Sequence, residues 1–262
     1  MNRLQNLFAY RGSRKLLIPF FTAGFPDVET TRQLVIAAVE SGADMIELGF
    51  PFSDPLADGP SIQFSSQVAL ANGASLAGAL KFVSELRRST DVPLLLMGYV
   101  NPLLAYGLEN FCVEASKSGV DGLIVPDLPV DEAGELETKA LANGLSLTFL
   151  ASPTSSPARL KLIDRHSADF VYAVTVAGVT GARKLFDSST DNYLKGLRRQ
   201  LKKPFVVGFG VSSPESASRL ANQSDGVVIG SALVDLIRGE QSREQQIAAV
   251  MLFLKSIRNA LG

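Results

Sequence analysis

Short apolar runs alternate with amphipathic stretches along nearly the whole chain, and this alternation limits the possible folds more than any other feature. The runs are almost continuously apolar, as is typical of parallel strands that are buried on both faces. The intervening stretches repeat apolar residues at helical spacing. The predicted strands are Lys15–Ala23, Met45–Phe50, Pro93–Tyr99, Gly122–Asp127, Ser146–Ala151, Phe170–Val176, Pro204–Gly208 and Gly226–Gly230.

Eight strands that alternate with helices predict an α/β protein, and we expect a single-domain (β/α)8 TIM barrel formed by residues 1–262. A doubly wound open sheet would give a similar pattern, so periodicity alone leaves closure of the sheet undecided. The length of 262 residues and the apolar fraction of 46% suit one large core. No linker, low-complexity segment or strong internal repeat is evident.

Charge and cysteine content argue against several classes of function. Lys and Arg number 25 and Asp and Glu number 26, so no basic excess indicates nucleic-acid or membrane binding. Cys112 is the one cysteine and cannot form an internal disulfide, so we expect a reducing cytoplasm and a buried, inert thiol. No apolar stretch approaches the roughly 20 residues that span a membrane. We also expect no secretory signal at the amino terminus.

Carboxylates near the second predicted strand are candidate catalytic groups. Glu47 lies inside an apolar run, where burial would raise its pKa and let it exchange protons near neutral pH. A structural Glu paired with a cation is the alternative. The following loop, Pro51–Pro60, is stiffened by prolines and carries Asp54 and Asp58. Such a loop can hold an acid near Glu47, although a solvated turn would have a similar composition.

Glycines follow the last predicted strands, in Gly178–Gly181, Gly208–Gly210 and Gly230–Ser231. Glycine lets backbone N–H groups approach an anion, and barrels often bind phosphate after strands seven and eight. The segments therefore predict a phosphate site, with ordinary turn glycines as the alternative. Tyr172 could extend to the mouth or belong to the core. The one histidine, His166, is expected at the surface, and no His or Cys cluster predicts a metal site.

At this level of detail the chain resembles the tryptophan synthase alpha family over nearly its whole length. The long segment Glu47–Gln63 closely resembles the family signature and is the most specific match. Further motifs occur in the family's order, namely Pro19–Gly24, Asn101-Pro102, Val125–Pro129, Gly178–Gly181 and Gly208–Pro214.

The resemblance implies a lyase that cleaves indole-3-glycerol phosphate to indole and glyceraldehyde 3-phosphate. Glu47 would be the catalytic acid and base, and Asp58 would hydrogen-bond the indole N–H and stabilise positive charge on the ring. The substrate-binding residues would be Tyr172, Thr180, Gly181, Phe209, Gly210, Gly230 and Ser231.

The resemblance also implies a partner, a beta subunit that holds pyridoxal phosphate and receives indole in an alpha2-beta2 heterotetramer. This chain would itself hold no cofactor. Asp54, Pro55, Leu56 and the segment near Asn101-Pro102 would face the partner. Three alternatives remain: another barrel that acts on a sugar or indole phosphate, a regulatory subunit without catalysis, and a lyase that works without a partner.

Overall fold

The strands form one parallel sheet. The structure is a computed structural model, and it describes residues 2–175, 188–208 and 210–262. Within these residues the strands are β1 (Leu16–Thr22), β2 (Ile46–Gly49), β3 (Leu94–Met97), β4 (Gly122–Ile124), β5 (Ser146–Thr148), β6 (Leu150–Ala151), β7 (Val171–Val174), β8 (Phe205–Gly208) and β9 (Gly226–Ile229).

Helices follow the strands as the periodicity predicts. Asp27 and Ser213 begin two of them, because each side chain accepts a backbone N–H of the first turn. The described helices are α1 (Arg3–Tyr10), α2 (Val28–Glu40), α3 (Pro60–Ala71), α4 (Leu76–Leu86), α5 (Val100–Tyr106), α6 (Leu108–Ser118), α7 (Gly134–Ala142), α8 (Pro157–His166), α9 (Ser188–Gln200), α10 (Pro214–Ala221), α11 (Ser231–Gly239) and α12 (Arg243–Leu261).

The sheet closes into a barrel, which decides between the two folds that the periodicity left open. The strand order is β5-β4-β3-β2-β1-β9-β8-β7-β6, and the two outermost segments are separated in sequence by Phe149 alone. The fifth predicted strand is thus split in two, since the Phe149 N–H bonds the side chain of Ser167. The prediction of a (β/α)8 TIM barrel is confirmed.

Side chains of the strands alternate between two buried layers. One set packs against the surrounding helices. The other set fills the barrel interior, and α1 covers its floor with Leu4 and with Phe8, whose ring stacks on Phe170 at 5.1 Å. We call this second set the inner cluster; its buried members are Leu4, Leu16, Ile18, Phe20, Met45, Leu95, Ile124, Phe170, Tyr172, Val206 and Val228.

The structure shows an internal repeat that was not evident in the sequence. Asp44, Asp121 and Asp225 each precede an alternate strand, and each side chain accepts the backbone N–H of a residue on the neighbouring strand, Leu17, Leu94 and Phe205, at 2.8–2.9 Å. An arginine pairs with each of the three carboxylates. Asp169 stands at the equivalent place before β7. The repeat becomes visible only when the strands are in register, because a single Asp before a strand is unremarkable in sequence.

None of the described helices is long and apolar enough to cross a membrane.

Candidate active site

Glu47 points into the barrel interior. In the sheet it lies beside Phe20 of β1 and Leu95 of β3, and both are members of the inner cluster. Glu47 also stands three residues after Asp44, as Ile124, Tyr172 and Val228 stand after the other three aspartates. Because alternate strands supply the four side chains of one interior layer in such barrels, these four form a layer with one carboxyl group.

The surroundings of Glu47 favour its protonated form. The side chain is buried, and within the described part of the chain neither carboxyl oxygen has a hydrogen-bond partner. Burial, and secondarily the charge of Asp58, raise the pKa of Glu47 to about 8. No cation is paired with it in the described residues, so the alternative of a structural ion pair lacks support. The carboxyl is therefore able to donate a proton near neutral pH.

Asp58 lies at the end of the loop after β2, above Glu47. The loop is held by the Gln63 side chain, which donates to the Asp58 carbonyl at 2.8 Å, and by Tyr99, whose hydroxyl accepts the Ala57 N–H at 2.9 Å. Burial raises the pKa of Asp58 to about 6, and a hydrogen bond from Tyr99 opposes this rise. Asp58 is thus the stronger acid of the two carboxyl groups.

Tyr172 shares the interior layer with Glu47. Burial raises its pKa well above the ordinary value, with smaller contributions from the charges of Glu47 and Asp58. Its ring occupies the space that a side chain at Gly208 would fill, since an added Cβ there would overlap the ring and the hydroxyl. Gly208 at the end of β8 therefore makes room for Tyr172 near the mouth.

A small cavity opens at the carboxyl ends of the strands, where active sites of such barrels lie. It is bounded by the ends of β1, β2 and β3, by the loop that carries Asp58, and by one face of α3. The lining residues are Phe20, Thr22, Gly49, Phe50, Phe52, Asp58, Ile62, Ser66, Met97, Gly98, Tyr99 and Pro126. Mostly apolar walls with one ionisable carboxylate suit an aromatic ligand that carries a polar N–H.

Gly210, Gly230 and Ser231 lie at one edge of the mouth. Val206 of β8 and Gly226 of β9 are paired across the two neighbouring strands. Gly210 and Gly230 each lie four residues after one member of this pair, so they leave the sheet at the same level. Gly210 has a φ of +87°, and Gly230 precedes the first turn of α11, whose N–H groups begin at Ser231. Such N–H groups and the helix dipole favour an anion. Thr180, Gly181 and Phe209 lie outside the described residues.

Other predicted features have separate outcomes. Cys112 is buried on α6, as expected. His166 is not simply solvated, because its Nδ1 lies 2.9 Å from a carboxylate oxygen of Glu137. Among the described residues, no group of three or more His, Cys, Asp or Glu side chains could hold a metal ion.

Sequence reasoning missed Tyr99 and the cavity-lining residues Thr22, Ile62 and Phe52. Tyr99 ends a predicted strand at the mouth, and that position was the available cue.

Comparison with known proteins gives one consistent family. A sequence model described as tryptophan synthase alpha chain matches residues 8–261. The tryptophan synthase alpha chain of Geobacter sulfurreducens is 45% identical, with 100% of each chain covered. Tryptophan synthase subunit alpha of Legionella pneumophila superposes with a TM-score of 0.91 at 34% identity, covering 100% of this chain and 98% of that one.

A third similar structure belongs to an assembly. It is a chain from the tryptophan synthase a2b2 complex of the hyperthermophile Pyrococcus furiosus, a complex that shows mutual activation. It has a TM-score of 0.86 at 40% identity and covers 93% of this chain and 98% of that one.

Proposed function

The chain belongs to the tryptophan synthase alpha chain family, lyases that cleave indole-3-glycerol phosphate to indole and glyceraldehyde 3-phosphate in tryptophan biosynthesis, and we propose that Glu47 and Asp58 carry out this cleavage. The observation that supports these roles is the difference between the two carboxyl groups. Glu47 has a pKa of about 8 and Asp58 a pKa of about 6, so near neutral pH one holds a proton while the other is charged.

The proposed cleavage requires both protonation states. Glu47 donates its proton to C3 of the indole ring, and the charge of Asp58 stabilises the cationic ring through the ring N–H. The bond from C3 to the glycerol chain then breaks, and its electron pair restores the indole. The Glu47 carboxylate removes the proton of the neighbouring glycerol hydroxyl, which becomes the aldehyde. Glu47 thereby regains its proton, and the step balances without a redox partner.

We further propose that the phosphate binds where Gly210, Gly230 and Ser231 meet, with Gly181 and Phe209 completing this end of the site. Tyr172 would line the site beside the reacting carbon, and Thr180 would help Asp58 to close it. The support is the anion-favouring start of α11 beside Gly210. The nearly neutral chain would thus hold its anionic substrate by local N–H groups.

The proposed partner is a beta subunit in an alpha2-beta2 assembly that carries the pyridoxal phosphate. The a2b2 complex of Pyrococcus furiosus supports this by similarity. So does the surface near the mouth, where Leu56 is 87% exposed and Leu104 is 56% exposed. Exposed leucines with Asp54 beside them suit an apolar interface with a polar rim. We also propose that residues 1–262 form a single domain and that the protein is cytoplasmic, in keeping with a biosynthetic enzyme.

The experiment is release of indole from indole-3-glycerol phosphate by the purified chain, with and without a beta subunit, for the wild type and Glu47→Gln. We expect slow release alone, faster release with the partner, and a loss of about 100-fold or more in the variant, since proton transfer by a positioned group typically contributes that much.

The outcomes separate the alternatives. Full activity of Glu47→Gln would contradict the catalytic role of Glu47. Fast release by the chain alone would indicate a lyase that needs no partner. No release in either condition, with the partner still activated, would indicate a regulatory subunit.

A further inference from the structure

Tyr99 occupies a rigid place between the sheet and the loop that carries Asp58. It follows the end of β3 and is the residue before α5, with only 5% of its surface exposed. The next N–H, of Val100, donates to the carboxylate of Asp127 at 3.0 Å, and the preceding N–H, of Gly98, donates to the Ile124 carbonyl at 3.1 Å. Main-chain bonds on both sides therefore hold the backbone from which the Tyr99 ring extends.

The Tyr99 hydroxyl lies beside two consecutive residues of the loop. Its oxygen accepts the Ala57 N–H at 2.9 Å, which places the hydroxyl next to the side chain of the following residue, Asp58, where its proton favours the charged carboxylate. A phenol has one proton, and the Ala57 contact uses the oxygen as acceptor, so the proton is directed at the Asp58 carboxylate. The Phe52 ring packs on Tyr99 with 5.4 Å between ring centroids and covers this contact.

We propose that Tyr99 is a positioning residue that aims the Asp58 carboxylate into the cavity and keeps it charged. The inference rests on the proposed catalytic role of Asp58. Tyr99 and Asp58 line the same cavity. The other described titratable groups around them are all acids: the charge of Asp58 acts on Glu47 and Tyr172, and Asp127 acts on Tyr99. Of the groups that shift the pKa of Asp58 in the described residues, Tyr99 is the one whose proton favours the charged carboxylate.

The hydroxyl also helps to keep the two carboxyl groups in different states. A hydrogen bond to the charged form of Asp58 lowers the pKa of Asp58, against the effect of burial. A charged Asp58 in turn raises the pKa of Glu47. Removal of the Tyr99 hydroxyl should therefore bring the pKa values of Asp58 and Glu47 closer together. The pH range in which Asp58 is charged while Glu47 is protonated should become narrower.

The direct test is Tyr99→Phe, compared with Tyr106→Phe, which removes a similar hydrogen bond to Glu114 at the surface. Carboxyl carbon NMR follows the Asp58 titration, with Asp58→Asn to identify the signal. We expect Tyr99→Phe to raise the pKa of Asp58 and to lower kcat/KM near pH 6 by about tenfold, the usual effect of a lost bond to a charged group, with a smaller loss at higher pH. Tyr106→Phe should match the wild type.

An unchanged Asp58 titration in Tyr99→Phe, or a loss of activity equal at every pH, would overturn the inference. The NMR titration of Asp58 does not depend on turnover. The proposed function would fail on a different result, namely no cleavage by the wild type in the presence of its partner.

A second comparison leaves Tyr99 in place, should Tyr99→Phe not fold. Asp58→Asn removes the charge beside the phenol, so the NMR signals of the Tyr99 ring should shift at neutral pH. Asp54→Asn changes an exposed carboxylate of the same loop and should leave these signals unaffected. Equal Tyr99 signals in the two variants would contradict the contact.

Discussion

The charge of Asp58 reaches the buried carboxyl of Glu47 and raises its pKa, in addition to the larger effect of burial. Asp58, the stronger acid, ionises first, and its charge then opposes the ionisation of Glu47. One carboxyl lies in the interior layer of the barrel without a hydrogen bond, and the other lies in a loop with a phenol beside it. This contrast in surroundings gives the two carboxyl groups different pKa values, as the different roles that we propose for them require.

The first prediction concerns the pH dependence of cleavage. If Asp58 must be charged and Glu47 protonated, kcat/KM should rise as the pH passes about 6 and fall as it passes about 8. Rates at saturating and limiting substrate between pH 5 and pH 9 would test it. A kcat/KM that stays constant from pH 5 to pH 9 would contradict the assignment of the two carboxyl groups.

The second prediction concerns stability and pH. The folded-state pKa of Glu47 is raised, so its contribution is fully present below the unfolded value near 4.5 and is lost as the pH rises through about 8. Gln does not titrate, so Glu47→Gln should gain stability relative to the wild type on going from pH 5 to pH 9, by up to about 4 kcal/mol at roughly 1.4 kcal/mol per pKa unit.

Urea unfolding at both pH values measures this gain, with Glu132→Gln, at an exposed position, as the control. A constant difference between Glu47→Gln and the wild type at all pH values would mean that Glu47 is not desolvated in solution.

The third prediction concerns the space beside Tyr172. Gly208→Ala places a methyl group where the Tyr172 ring lies, so the ring must move. Overpacking of this kind typically costs about 1–3 kcal/mol of unfolding free energy, and we expect cleavage to fall as well. Gly134→Ala is the matched control, because its added Cβ meets nothing within 4 Å and lies in α7. Wild-type stability and activity in Gly208→Ala would show that Tyr172 adapts freely.

The fourth prediction concerns the proposed phosphate site. Gly210 has a φ of +87°, a conformation that Asn and Asp tolerate better than other side chains. Gly210→Asn and Gly210→Asp therefore impose similar strain and differ in charge. Calorimetry with glycerol phosphate should show weaker binding for Asp than for Asn by at least about tenfold, as expected for like charges at short range. Equal affinities would move the phosphate elsewhere.

The fifth prediction concerns the opposite end of the barrel. Asp121 is buried, pairs with Arg87 and accepts the Leu94 N–H, so Asp121→Ala leaves the largely covered Arg87 guanidinium without a counter-charge and the Leu94 N–H without its acceptor. Breaking such a pair typically costs about 3–5 kcal/mol. Asp91→Ala, at a side chain 96% exposed, should cost less than about 1 kcal/mol. Urea unfolding compares the two, and the folded fraction of Asp121→Ala should retain wild-type turnover.

The sequence predicted all eight strands and placed Glu47 inside one of them, because apolar runs and a carboxyl within such a run are local signals. The stiff loop after this strand allowed Asp58 to lie near Glu47, but a solvated turn was the alternative. The hydrogen bond from the Ala57 N–H to the Tyr99 hydroxyl, which brings that hydroxyl to Asp58, was not predictable, because it joins residues far apart in sequence and depends on how β3 and the loop meet. The split at Phe149 and the repeated aspartates likewise depend on register between strands. The roles of Thr180, Gly181 and Phe209 stay predictions.

The interior layer with Glu47 contains three further positions, Ile124, Tyr172 and Val228, each supplied by a different strand. The four positions lie at the same level along the barrel axis, but their side chains point inward from different sides. A carboxylic acid introduced at Ile124 or Val228, with Glu47 replaced, would face the same bound molecule from another side. If Glu47 delivers the proton as we propose, the fold thus offers a redesign in which the acid approaches the bound molecule from a different direction while it stays buried at the same level of the barrel.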